Sequence, residues 1–143
     1  MRAVTQENMV EFSANIRKLD GSGMTSIVSG LDLGLKTIRD RKVPNKATSI
    51  FLLSDGLDKG ADEKFKHVLT LPENAELGAF SIHSFGFGRD HDEDLMNRIC
   101  TLKDGSFYFI KELGTLDEAF CNALGGIITM AASNVIIQVR SVA

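Results

Sequence analysis

Cysteine is scarce in this sequence. Cys100 and Cys121 are the only two, and their spacing offers neither a zinc site nor a disulfide framework. Both fall in stretches of helical periodicity and are expected to be buried free thiols, since cysteine packs as a small hydrophobe. Long apolar runs are missing as well: none approaches the ~20 residues of a membrane span, and the N-terminus lacks the apolar core of a secretory signal. The expectation is a cytoplasmic chain with no membrane partner. The 16 Lys and Arg against 19 Asp and Glu leave a formal charge of −3, and they form no basic cluster or basic helix face, so nothing electrostatic points to nucleic acid. Catalytic signatures are also lacking. There is no Gly-x-Ser-x-Gly elbow, no lysine-terminated phosphate loop and no dinucleotide fingerprint. His83 reads as a packed strand residue and His91 as part of an exposed acidic turn, so neither forms a catalytic group with Ser54, and the chain reads as no enzyme.

What is present is an ordinary globular composition, 43% hydrophobic and 24% charged over 143 residues, enough for one domain with a sizeable core. The stretch that organises it is Ser49-Ile50-Phe51-Leu52-Leu53-Ser54-Asp55-Gly56. Four consecutive large apolar residues have no polar face, so a strand here is expected to be covered on both sides, as in the centre of a parallel sheet. Asp55 then stands at the strand's C-terminal end, where open α/β sheets bind their ligands.

In chain order, Met9, Phe12, Ile16 and Leu19 follow Thr5 at helical steps and predict an amphipathic helix over about 6–19 with Thr5 as its N-cap. A glycine-rich link, Asp20 to Gly23, leads to a second helix marked by Ile27, Leu31, Leu35 and Ile38. Gly30 and Gly34 on that helix are expected to let it approach a strand closely. Beyond the central strand, Phe65, Val68 and Leu69 mark a short helix closed by Pro72, and residues 79–87 read as a second strand. Asp90, Asp92, Glu93 and Asp94 cluster where a helix carrying Leu95, Met96, Ile99 and Leu102 begins. There they complement its free amides and dipole. Residues 106–110 read as an aromatic strand, and Leu116 to Ile128 as the most periodic helix. The β-prone run Asn134 to Arg140 reads as a closing strand that pairs on an edge or opens a neighbouring domain. Strands alternating with helices, with no hairpin signal between them, give an α/β fold with a mainly parallel sheet flanked by helices.

Four stretches in order then resemble the von Willebrand factor A domain family: Gly21-Ser22-Gly23-Met24-Thr25-Ser26-Ile27, Ile50 to Gly56, Ile82-His83-Ser84-Phe85-Gly86-Phe87-Gly88 with Asp90-His91-Asp92, and Phe107 to Ile110 with the helix after it. The resemblance implies a three-layer, Rossmann-like fold in a protein-interaction module. A divalent cation at the strand ends would grip an acidic side chain of a protein partner. It makes Thr25 the threonine ligand and Asp55 the aspartate ligand. Closeness in sequence, not the resemblance, makes Ser22 a substitute donor and sets Ser54, Gly56 and Asp58 around the partner contact. Hydroxyl and carboxylate oxygens suit Mg²⁺, Mn²⁺ or Ca²⁺. The family's Asp-x-Ser-x-Ser motif is absent, so the chain resembles an N-terminally truncated copy, a partial domain over 1–143. Two expectations follow. The MIDAS-like cation site is residual or vestigial, and the uncovered edge of the 49–53 strand invites self-association. The alternative is an assembly subunit that oligomerises through that edge without metal.

Overall fold

A computed structural model describes residues 4–45, 47–58, 60–129 and 136–140. The chain divides into two compact units, one from residues 1–44 with 58–77, the other from residues 45–57 with 78–143.

The first unit is helical. Helix α1 (Gln6–Ile16) starts where Thr5 turns its hydroxyl to the Asn8 amide (3.3 Å), as its capping chemistry requires. It ends three residues before the expected Leu19 and buries none of its residues, so Met9, Phe12 and Ile16 remain exposed. Helix α2 (Ile27–Arg39) buries one stripe, Ile27, Leu31, Leu35 and Ile38, and packs on helix α3 (Ala61–Thr70), which buries Ala61, Phe65 and Leu69. Each such large apolar side chain contributes about 1.5–3 kcal/mol on leaving water. Gly30 is exposed, so at that position the glycine serves no close approach. Pro72 does more than end a helix, for it opens the four-residue helix α4 (Pro72–Ala75), where a missing amide costs nothing. The buried Asn74 ties this corner together, donating to the Val68 carbonyl (2.7 Å) and accepting from Arg39 (3.2 Å) while Arg39 also pairs with Glu73 (3.0 Å).

The second unit holds the sheet: strands β1 (Ser49–Ser54), β2 (Ser81–Phe87) and β3 (Phe107–Ile110), all parallel, in the order β1-β2-β3. Helix α5 (Glu93–Thr101) links β2 to β3, and a 3₁₀ turn (Leu113–Thr115) leads into helix α6 (Leu116–Ile128). Strand alternation sorts β2 onto two faces. One carries His83 and Phe85 beside Phe51 and Tyr108, and here α6 lays Phe120 against Phe85 with ring centroids 4.5 Å apart, over Ile110 and Ala123. Stacked pairs of this kind contribute about 0.5–1.5 kcal/mol beyond their buried area. The other face is built small, with Ile82, Ser84 and Gly86, and α5 packs there through Leu95, Met96, Ile99 and Cys100. The Ser84 hydroxyl donates to the Met96 carbonyl (3.1 Å) and meets the Cys100 thiol (2.8 Å). The turn before β3 needs Gly105, because a Cβ there would overlap the Ile82 carbonyl.

The architecture is therefore the expected α/β one, three parallel strands with α5 on one face and α6 on the other. Three expectations need correction. The strand covered on both sides is β2, whose residues 82–86 are all buried, whereas β1 is an edge among the described residues and leaves Leu53 49% exposed. Its uniform apolar run reflected an aromatic face on one side, not a central place. Cys121 is exposed on the outer side of α6, and only Cys100 is buried. Of the expected closing strand, residues 134 and 135 lie outside the described residues, and 136–140 form no strand and are exposed. Among the described residues no helix is long and apolar enough to cross a membrane.

Candidate functional site

The parallel register brings two turns together at the C-terminal end of the sheet. Ser54 ends β1 opposite Gly86 of β2, so the Asp55-Gly56 turn leaves beside the Phe87-Gly88 turn. Ser54 is buried, and its hydroxyl is engaged by its own turn, accepting from the Gly56 amide (3.4 Å) and lying 3.3 Å from the Gly56 carbonyl. Such a serine turn shapes the backbone and engages the hydroxyl within its own turn. Asp55, one residue on, is exposed, and its carboxylate has no hydrogen bond to the described residues.

Asp58 lies in the first unit and is occupied. Its Oδ2 accepts from the amides of Ile27 (2.8 Å) and Val28 (3.4 Å), the first residues of α2. The residue placed to cap α2 locally is Ser26, yet it makes no capping bond and its hydroxyl pairs with Ser29 (2.8 Å) instead. A carboxylate from 31 residues away supplies the missing acceptor and the negative charge that a helix N-terminus favours. Asp58, expected at the partner contact, is thus a helix cap. Thr25 stands one residue before Ser26 and is half-buried, while Ser22 is exposed in the link before it. Thr25 and Ser22 belong to the first unit, Asp55 to the second.

Among the described residues no three His, Cys, Asp or Glu side chains group to hold a metal ion. The donors named for the cation offer one carboxylate and two neutral hydroxyls. Mg²⁺ takes six oxygens in a near-octahedral array, and this set does not fit a firm site.

The two histidines of the second unit differ in their bonding. His83 receives the Ser106 amide at Nδ1 (3.2 Å), which puts the ring proton on Nε2, where it faces Ser81 Oγ (3.2 Å). Burial holds its pKa below the ordinary histidine range. It is the packed strand residue that was expected. His91 is not in an exposed turn: it is 8% exposed, its ring seated on Gly86 between Phe107 and Phe109. The seat exists because residue 86 has no side chain, and only the pairing of Gly86 with the following turn could have signalled it. Asp92, by contrast, caps α5 as its sequence promised, accepting from the Leu95 amide (3.1 Å), and Glu93 and Asp94 occupy the first turn. The Cys100 thiol is pushed up by burial, against a smaller opposing effect of its bond to Ser84, and is unsuited to act as a nucleophile.

No protein-family model matches the chain. In sequence it is 26% identical over 106 residues to inter-alpha-trypsin inhibitor heavy chain H3 of Pongo abelii and equally to that of Homo sapiens, covering 71% of this chain and 12% of those proteins. It is 30% identical over 96 residues to an uncharacterized protein of Synechocystis sp., covering 67% of this chain and 22% of that one. In structure it matches a von Willebrand factor type A protein from Catenulispora acidiphila with a TM-score of 0.68 at 18% identity, covering 82% of this chain and 26% of the other. The chain therefore spans between 12% and 26% of the length of these proteins.

Proposed function

Because this chain has the von Willebrand factor A fold, we propose that it is a non-enzymatic protein-interaction module that meets its partner at the C-terminal end of the sheet, around Asp55. The observation that carries this reading is the contrast among the polar groups named for the contact. Ser54 is engaged by the Gly56 turn and Asp58 by α2, whereas Asp55 is exposed and has no hydrogen bond to the described residues. An exposed carboxylate with no bond to the described residues, on a turn fixed by its neighbours, is available to something outside the chain.

A divalent cation, Mg²⁺ before Mn²⁺ or Ca²⁺, would find its single anionic donor in Asp55. Thr25 is the hydroxyl donor that the resemblance assigns to it, and Ser22, near Thr25 in sequence, is a substitute. With so few donors the site is residual, and an acidic side chain of the partner completes it. The free thiol of the buried Cys100 fits a reducing compartment, and the cytoplasm is where the module acts.

The test is affinity capture by the wild-type chain, Asp55→Lys and Glu76→Lys, a control at another exposed acidic position. A protein held by wild type and Glu76→Lys, and lost with Asp55→Lys, supports the reading. One held equally by all three refutes it. A second reading is favoured by β1, which pairs only with β2 among the described residues and exposes Leu53. It makes the chain an assembly subunit that self-associates through the 49–53 edge without metal. Light scattering separates the two: a dimer or larger species unaffected by EDTA supports the second, and a monodisperse monomer refutes it.

A further inference from the structure

The turn that carries His91 lies beside the Asp55 turn and has no place in the reading above, and its bonding is uneven. The Nδ1 of His91 lies 2.9 Å from the Gly88 carbonyl, which can only accept, so the proton of the neutral ring is on Nδ1. The Nε2 is shut off from solvent and has no hydrogen-bond partner among the described residues. The neutral ring tolerates this at the cost of one unused lone pair. An imidazolium carries a proton on both nitrogens, and its Nε2–H would be a buried, charged donor with no acceptor, a far costlier state.

We propose that His91 is a pH-sensitive latch: neutral, it holds the Gly88–Asp92 turn against Gly86, and protonated, it leaves its seat and lets the turn open. Among the described residues, the recorded contacts of the ring carry no negative charge. From β2 the ring meets Gly86 and from β3 Phe107 and Phe109. On its own turn Arg89 and Asp90 are exposed, and the Asp92 carboxylate is held by the Leu95 amide. Glu93 and Asp94 at the start of α5, Asp55 after β1 and Lys111 after β3 are all exposed. Gly88, at φ +68°, gives the turn a pivot that needs no side-chain strain. Opening would move the surface next to Asp55, so the latch would make any contact at that end of the sheet weaker in acid. The latch itself stands independently of what that contact binds.

Hydrogen exchange of the full chain tests it. Three bonded amides report on the turn: Gly88 to the Ile110 carbonyl, Glu93 to the His91 carbonyl and Leu95 to the Asp92 carboxylate. Rates are corrected for intrinsic pH dependence and compared at pH 7.5 and 5.5. If only the open form takes up the proton, the opening equilibrium rises as the pH falls, by at most roughly tenfold per pH unit. The expected result is that rise at Gly88, Glu93 and Leu95, a smaller one at Phe85 in the middle of β2, and its loss in His91→Phe, which keeps a ring on Gly86 and cannot protonate. Exchange at the turn that does not change, or that rises no more than at Phe85, overturns the proposal, as does an undiminished rise in His91→Phe. Should that variant fail to fold, the wild-type comparison of the turn with Phe85 decides alone.

Discussion

Removing the Asp58 carboxylate should weaken α2 although it lies 31 residues beyond the helix start. Its Oδ2 accepts from two of the four amides that an α-helix leaves unpaired at its beginning, at 2.8 and 3.4 Å, and no local side chain stands in for it. Loss of a cap of this kind costs about 1 kcal/mol, and the negative charge at the helix N-terminus adds roughly 0.3–1 kcal/mol. Asp58→Ala is therefore expected to lose about 1.5–2 kcal/mol. Asp58→Asn, which keeps an acceptor oxygen and gives up the charge, should lose about 0.5 kcal/mol. In urea, with a slope of about 2 kcal/mol/M, the alanine variant's midpoint falls by roughly 0.8–1 M at unchanged slope. A midpoint that does not move in Asp58→Ala, or an equal loss in both variants, would refute the assignment of Asp58 as the cap of α2.

Three further outcomes follow from the second unit. His83 is neutral and its pKa is lowered by burial, so the unfolded chain binds the extra proton first. Its contribution is complete above about pH 6.5 and is lost as the pH falls from there through the lowered folded value, and urea titrations at pH 7.5, 6.5 and 5.5 should show His83→Gln with a shallower acid loss than wild type. Gly105→Ala forces a Cβ onto the Ile82 carbonyl and should cost about 2 kcal/mol or more, read as a lower thermal midpoint, whereas Gly114→Ala, with open space around it, should cost little. Ser84→Ala removes the hydroxyl bonded to the Met96 carbonyl and the Cys100 thiol inside a fully buried site, and a loss of about 1–2 kcal/mol in chemical unfolding is expected.

How far the sequence could be read depended on whether the information was local. The spacing of Ile27, Leu31, Leu35 and Ile38 placed α2 to within a residue or two, and Leu116 to Ile128 came out as the helix observed, because 3.6-residue periodicity is written in consecutive residues. Thr5 and Asp92 were legible as caps for the same reason, each standing a few residues from the amide it satisfies. Asp58 was not, since the amides it caps are fixed by tertiary folding. The place of β1 was misjudged because an apolar run reports burial and not strand order. Only the register with Ser81 to Gly86 shows that β2 is the inner strand. His91 looked exposed among Asp90, Asp92 and Glu93 until Gly86 supplied a gap for its ring. At the candidate site the sequence singled out one turn and could not sort its members. It placed Ser54, Asp55, Gly56 and Asp58 together, and the hydrogen bonds separate a carboxylate with no bond to the described residues from a turn-forming serine and a helix cap.

That separation is the central claim, that Asp55 is a group kept for binding and Asp58 a group kept for folding, and one paired measurement tests it. The unfolding midpoint of Asp55→Ala is compared with that of Asp58→Ala, and each variant is tested for retention of the protein that wild type captures. Asp55→Ala should stay within about 0.5 kcal/mol of wild type, as exposed positions do, and lose the captured protein. Asp58→Ala should lose about 1.5–2 kcal/mol and, at a temperature where it remains folded, keep it. The reverse pattern, an Asp55→Ala chain that is destabilised and still binds, would contradict the account.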